Sequence, residues 1–280
     1  MQASSQCVWI CFSFFLVTHT ISTSSASWQN GPNVLFILMD DWGFTDVGYN
    51  NQQLFETPVF DDLSSAGIRL NYHYTEPICS ASRSAFMTGR YAWRTGLDGI
   101  LGSNTATGTD TALPLLSEVF KSQNYNSLMV GKWHMGYASV AQEPYHRGFD
   151  EALFIHTGYH HYYTKQRCDP FSRWDNAAGT ALNASIRLQR NALFGSQFCG
   201  YDYMTESGQT LVEETTYNEV LAGNKIQTFV ANHVHDQNPF FIYWGMSTPH
   251  SPTVDPPAAD TIDPSPDYSL CDGETVPDRL

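Results

Sequence analysis

Three short apolar runs, each broken off abruptly by polar or turn-forming residues, limit what this chain can fold into. Residues 33–39 (NVLFILM) run from Gly31-Pro32 to Asp40-Asp41, 126–130 (NSLMV) run into Gly131-Lys132, and 240–244 (FFIYW) run into Gly245. Such runs are too short for a membrane span and show no two-residue alternation, which is how strands covered on both faces read. The first of them is expected to be a central strand. Helical patterns fall between the runs. Thr57-Pro58 gives an N-cap and a first-turn proline for a helix over 58–66 that stops at Gly67. A short strand is expected at 68–72, a helix from about 80–84, another over 113–122 and a longer one over 214–233. Strands alternating with helices predict an α/β fold, a mostly parallel sheet sandwiched by helices. Residues 156–210, rich in aromatic, Gly, Asn and Ser residues, break the rhythm and read as a long excursion above the sheet.

With 280 residues, 42% of them hydrophobic, the chain can bury a substantial core. Acidic residues outnumber basic ones by 28 to 14. This leaves no general basic surface for nucleic acid, and any chemistry on an anion must rest on a locally gathered group of cations. The apolar stretch 8–17 followed by small polar residues reads as an export signal over 1–26, with the remaining residues 27–280 forming one domain. No other segment is long and apolar enough to span a bilayer. Asn183 begins an N-glycosylation acceptor, meaningful only on the secretory route. Cys7 and Cys11 would leave with the signal. Cys168 and Cys199 are plausible disulfide partners flanking an insertion-like region, and Cys271 lacks a mate.

In open parallel sheets ligands bind beyond the carboxyl ends of the strands. Asp40 and Asp41 follow the first run, Lys132 and His134 follow the second, and His250 follows the third. Parallel strands share one end, so these five residues should line one crevice. Separately, an Asp pair is usually a turn, and Lys132, His134 and His250 are ordinary loop residues. The functional reading comes from their shared placement.

Cys79-Ser80-Ala81-Ser82-Arg83, followed by Met87-Thr88-Gly89-Arg90, resembles the signature of the sulfatase family. The blocks at 33–48, 79–97, 129–136 and 147–150, and the arrangement of His161-Tyr162-Tyr163 ahead of Cys168, extend the likeness over about 33–252. It is strongest to the N-acetylgalactosamine-4-sulfatase (arylsulfatase B) branch. The resemblance implies an alkaline-phosphatase-like sulfatase N-terminal domain and hydrolysis of sulfate esters of glycans or aryl alcohols. It also implies export to the lysosome or the cell exterior and, during maturation, a formylglycine-generating enzyme as partner. In such enzymes the cysteine, here Cys79, is oxidised to formylglycine, whose hydrate attacks sulfur and then releases sulfate by reforming the aldehyde. Asp40, Asp41 and the modified Cys79 are implied ligands of one calcium ion. Arg83, a helical turn from Cys79, would hold the modified side chain, and Lys132 and His134 would bind sulfate, with His134 the base for its release. His250 would contact sulfate and help protonate the leaving oxygen.

Two departures accompany the likeness. Position 81 is Ala where many relatives have Pro, and residues 251–280 contain nothing like the strand and Asp-Asn pair that complete the family's metal site, so the C-terminal part is expected to be missing. Two alternatives follow. One is a truncated, non-catalytic protein that binds sulfated glycans. The other is a phosphatase or phosphodiesterase of the wider superfamily, which the cysteine at 79 argues against. The aromatic and histidine run of His156, Tyr159, His160, His161, Tyr162 and Tyr163 is expected on a solvated loop, where it suits a sugar ring better than a second metal.

Overall fold

The structure, a computed structural model, describes residues 31–50, 56–103, 105–170, 197–205, 207–211, 215–233 and 235–251. The expected export signal, Asn183 and Cys271 lie outside them. Strands β1 (Val34–Asp40), β2 (Asn126–Lys132), β3 (Glu151–Ile155), β6 (Met204–Thr205) and β7 (Phe240–Pro249) form one sheet in the order β1-β7-β2-β3-β6. All its pairs are parallel except β3 with β6. A separate antiparallel pair, β4 (Gln166–Pro170) and β5 (Gln197–Tyr201), sets Cys168 opposite Cys199, and these two form a disulfide.

Side chains alternate across the sheet as strand geometry demands. Met129, Phe241 and Tyr243 point to one face, where Met87 of helix α2 (Cys79–Thr88) and Phe120 of α3 (Leu116–Ser122) pack. Leu128, Val130, Phe240 and Ile242 point to the other, against Ala222 and Phe229 of α4 (Asn218–His233). The central strands β2 and β7 therefore need apolar residues at nearly every position, which is why their runs show no alternation. Burying each of these side chains contributes roughly 1.5–3 kcal/mol.

Helix α1 (Pro58–Ala66) falls on the residues its Thr-Pro and Gly signals mark. Thr57 does not cap it through its side chain. Its Oγ1 accepts from the Gly48 amide at 2.8 Å and faces Asp61 instead.

Three expectations are corrected. Among the described residues β1 stands at the sheet's edge, pairs only with β7 and is largely half-buried. Its apolar residues touch both faces, so composition does not separate it from a central strand. Residues 68–72 form no strand, because Ile68 and Tyr72 stand in solvent and no neighbouring strand among the described residues pairs with them. Helix α4 begins at Asn218, residues 215–217 being non-helical.

Candidate active site

Four segments meet at the carboxyl ends of the parallel strands. The β1–β7 register places Asp40 beside Pro249, one residue before His250, while β2 ends at Lys132 between β7 and β3. Helix α2 starts at the same end with Cys79 as its first residue. Its buried face, Ser80, Ala81, Arg83, Ser84 and Met87, has helical spacing, so Arg83 lies under the sheet ends and not in solvent. Gly89 in the left-handed region stops the helix.

Arg83 and Lys132 are both fully buried and share one carboxylate. Lys132 Nζ lies 2.5 Å from Asp40 Oδ2, and Arg83 Nη2 lies 3.3 Å from Oδ1. Arg83 Nη1 also donates to the Lys132 carbonyl at 2.9 Å and to the Tyr243 hydroxyl at 3.2 Å. Burial alone would raise the Asp40 carboxyl, but the two cations outweigh it and hold it below the usual carboxylate range. Lys132 is pushed down by burial and by Arg83, against the pull of Asp40. Two buried cations against one buried carboxylate leave an excess of positive charge, which is what an anion's binding site requires in a chain of net charge −14.

Cys79 is a free thiol, and its Sγ lies 3.3 Å from His134 Nδ1. His134 Nε2 donates to the Leu101 carbonyl at 2.8 Å, which assigns the proton to Nε2 and leaves Nδ1 as an acceptor facing Cys79 and the Ser80 hydroxyl. Burial, joined by the charge of Lys132, pushes the imidazole down to about 3, so it stays neutral. A neutral imidazole with its lone pair on residue 79 can accept a proton there. His250 reaches the cluster from β7. Its Nδ1 donates to the Ser251 carbonyl at 2.6 Å, and its Nε2 lies 3.7 Å from Asp41 Oδ2. Asp41 and His134 have φ of 62° and 52°, a region that side chains other than glycine enter at a cost and that recurs at functional sites.

Every residue expected in the crevice is thus found in one neighbourhood: Asp40, Asp41, Cys79, Arg83, Lys132, His134 and His250. The thiol is in no disulfide. The aromatic run divides: Tyr159 stacks on the His250 ring at 6.0 Å, whereas His160 and Tyr162 are buried and hydrogen-bonded. The solvated loop expected for the histidines is corrected for His160, which its neighbours enclose.

Four contributors escaped sequence reasoning. Ser80 links His134 to the Leu101 amide, at 3.0 Å, and Tyr243 receives Arg83. Gly245 leaves room for Arg83, because a Cβ there would lie 2.4 Å from the Lys132 carbonyl oxygen and 2.8 Å from Arg83 Nη1. Gly158 lies against the His134 ring, where a Cβ would come within 2.9 Å of Cε1. The signal for Gly245 was available, since a lone glycine inside an apolar strand marks a close approach.

Hard carboxylate oxygens suit calcium in kind, but the ion takes about six to eight oxygens. Asp40 is engaged by Lys132 and Arg83, Asp41 is exposed, and no group of three His, Cys, Asp or Glu side chains among the described residues is placed to hold a metal. The described residues by themselves do not make up a calcium shell.

A sequence model of one family, Sulfatase, matches residues 32–266. Arylsulfatase J of Mus musculus is 32% identical over 230 residues, which are 80% of this chain and 33% of that protein. N-acetylgalactosamine-6-sulfatase of Homo sapiens is 29% identical over 231 residues, 79% of this chain and 40% of that protein. The crystal structure of Ps i-CgsB in complex with k-i-k-neocarrahexaose superposes with a TM-score of 0.60 at 30% identity, covering 79% of this chain and 46% of that one. The chain spans a third to under half of the length of these proteins.

Proposed function

This chain belongs to the sulfatase family, and from that premise we propose that it carries the nucleophile side of a sulfuric ester hydrolase acting on sulfated glycans or aryl sulfates. The observation that carries the reading is the unpaired Cys79 at the start of α2, 3.3 Å from the accepting nitrogen of a neutral His134 and beside a buried excess of positive charge. The family relation and the sulfated-sugar names among its relatives support the substrate class. An export route fits both the disulfide and the oxidation that residue 79 needs, and lysosomal or extracellular destinations are part of the proposal. Among the described residues no helix is long and apolar enough to cross a membrane.

Modified to formylglycine by its maturation enzyme, residue 79 supplies a hydrated aldehyde, with one oxygen to attack sulfur and a second hydroxyl to expel sulfate. The other residues prepare that reaction. Arg83 and Lys132 hold the sulfate oxygens electrostatically, each oriented by Asp40. The amino end of α2 adds its partial positive charge at residue 79. His134 Nδ1 takes the proton of the residue 79 side chain, and its Nε2 cannot swing away while Leu101 holds it. His250, with Nδ1 given to Ser251, turns Nε2 to the leaving oxygen.

Asp40 and Asp41 are proposed as two carboxylate ligands of a calcium ion whose other ligands the described residues do not supply. Calcium added to the chain should raise its thermal midpoint slightly, and Asp41→Asn should remove the rise. A midpoint indifferent to calcium would end that assignment.

A second reading, binding of sulfated glycans without turnover, is favoured by the lack of a three-ligand metal group among the described residues. Hydrolysis of an aryl sulfate, assayed together with mass spectrometry of the Cys79 peptide, decides between the two. Turnover that Cys79→Ala abolishes, with the circular dichroism spectrum unchanged, supports the hydrolase. Turnover retained by Cys79→Ala removes the proposed nucleophile, and an unmodified thiol without turnover supports binding only.

A further inference from the structure

Resting on the reading of His250 as a residue of the sulfate site, we propose that Tyr162 and Glu219 are positioning residues that fix His250 by clamping the backbone on which it stands. Strand β7 ends without a β1 partner beyond Pro249, so the segment that carries His250 depends on side chains for its backbone partners. Glu219, in the first turn of α4, supplies two acceptors. One carboxylate oxygen takes the Ser247 amide at 2.8 Å and the other takes the Trp244 indole N–H at 3.1 Å. The Tyr162 hydroxyl donates to the Ser247 carbonyl at 2.7 Å and also meets the His250 carbonyl. The His250 amide closes the turn on the same Ser247 carbonyl at 3.1 Å. Ser247 is therefore gripped at its N–H by one residue and at its C=O by the other, and His250 follows three positions later.

The two clamps are themselves joined. Lys165, fully buried, donates from Nζ to the carbonyls of Tyr162, at 2.8 Å, and of Tyr163, at 3.0 Å, and also to the Thr216 carbonyl just ahead of α4. The Tyr162 and Tyr217 rings lie 5.4 Å apart. The loop before β4 and the start of α4 thus form one support, and among the described residues the bonds of both the Tyr162 hydroxyl and the Glu219 carboxylate end on residues 244–250. A purely structural tyrosine or glutamate would fill a core. These two converge on one short segment whose single ionisable side chain is His250. The consequence is a fixed imidazole: with Nδ1 held by Ser251 and Tyr159 stacked on the ring, a shift of the backbone by a fraction of an ångström redirects Nε2 away from the site.

The test uses the whole chain with isotope-labelled histidine, the His250 imidazole signal being assigned by its loss in His250→Gln. Tyr162→Phe, which removes one oxygen, and Glu219→Gln, which keeps the size and removes one acceptor, are compared with the unaltered chain at fixed pH, alone and with inorganic sulfate. The expected result is a displaced, broadened His250 signal in both variants, with the His233 signal at the far end of the sheet unmoved. The sulfate concentration for half response should rise about fivefold, the loss of roughly one hydrogen bond. A His250 signal and sulfate response identical to the unaltered chain in either variant that keeps its circular dichroism spectrum overturns the clamp. If sulfate moves no His250 signal in the unaltered chain, the sulfate-site reading fails, while displacement of the resonance by Tyr162→Phe still reports the clamp on its own.

Discussion

At Gly245 the smallest possible side chain already collides with two parts of the site. Its register partner across β2 and β7 is Gly131, which has a φ of 85° and would place a Cβ 2.1 Å from the Gly245 oxygen. The two glycines remove side chains where the backbones close up and where Arg83 passes to reach the Lys132 carbonyl. Gly245→Ala is expected to destabilise the chain by about 1–3 kcal/mol, the usual cost of overpacking, and to separate Arg83 from that carbonyl. Urea unfolding measures the first effect, and an unchanged midpoint would show that Arg83 is not seated as described. The charged residues of the site were legible in the sequence because their types are rare after apolar runs and their order matches a known signature. Tyr243 and Ser80 were not, because tyrosine and serine serve so many purposes that only the packed neighbours reveal this one.

Elements with punctuation in the sequence were the readable ones. Proline at the start and glycine after the end delimit α1, and β7 begins where its apolar run begins. Strand β1 shows what pattern alone cannot reach: an apolar run states that both faces meet apolar neighbours, and says nothing of how many strands stand beside it. The segment 68–72 has strand-like residues but no partner strand among the described residues, and a strand is a property of a pair. The β4–β5 pair is a case where chemistry adds what periodicity lacks. Its disulfide joins residues 31 apart in sequence and directly opposed in register. Closing a loop of that length restricts the unfolded chain, so replacing both cysteines by serine should lower stability by about 3–4 kcal/mol. Denaturant unfolding of the oxidised parent beside Cys168→Ser/Cys199→Ser checks this, and equal midpoints would show that the pair staples nothing that unfolds cooperatively.

For the molecule as a whole, the parallel topology makes distant residues neighbours, and it also sets how the fold responds to acid. Two buried groups beside β3 lock the excursion to the sheet. Asp202 accepts from the amides of His156, at 2.9 Å, and Thr157, at 3.0 Å, and hydrogen bonds from His156 and Thr157 hold it down at about 2 despite burial that would raise it. His160 donates from Nδ1 to the Asp202 carbonyl at 2.7 Å and accepts at Nε2 from Asn218. Burial pushes it down to about 4, helped by the charge of Lys165 and against the opposing pull of Asp202 and the Asn218 hydrogen bond. In the unfolded chain an aspartate titrates near 4 and a histidine near 6.5. Both folded values are depressed, so between folded and unfolded values the unfolded chain binds more protons and stability falls as pH falls. The His160 contribution is complete above about 6.5 and gone below about 4, worth on the order of 3 kcal/mol, and that of Asp202 is lost between about 4 and about 2. His156, raised by hydrogen bonds and charge from Asp202 and by Glu143 against the effect of burial, acts in the other direction and loses its contribution as pH rises through its folded value. His160→Gln keeps an acceptor for Asn218 and cannot take up a proton, so its urea midpoint should change distinctly less than the parent's between about pH 6.5 and about pH 4.5. Parallel curves for the two proteins over that window would mean that His160 is not the group that ties the excursion's stability to acid.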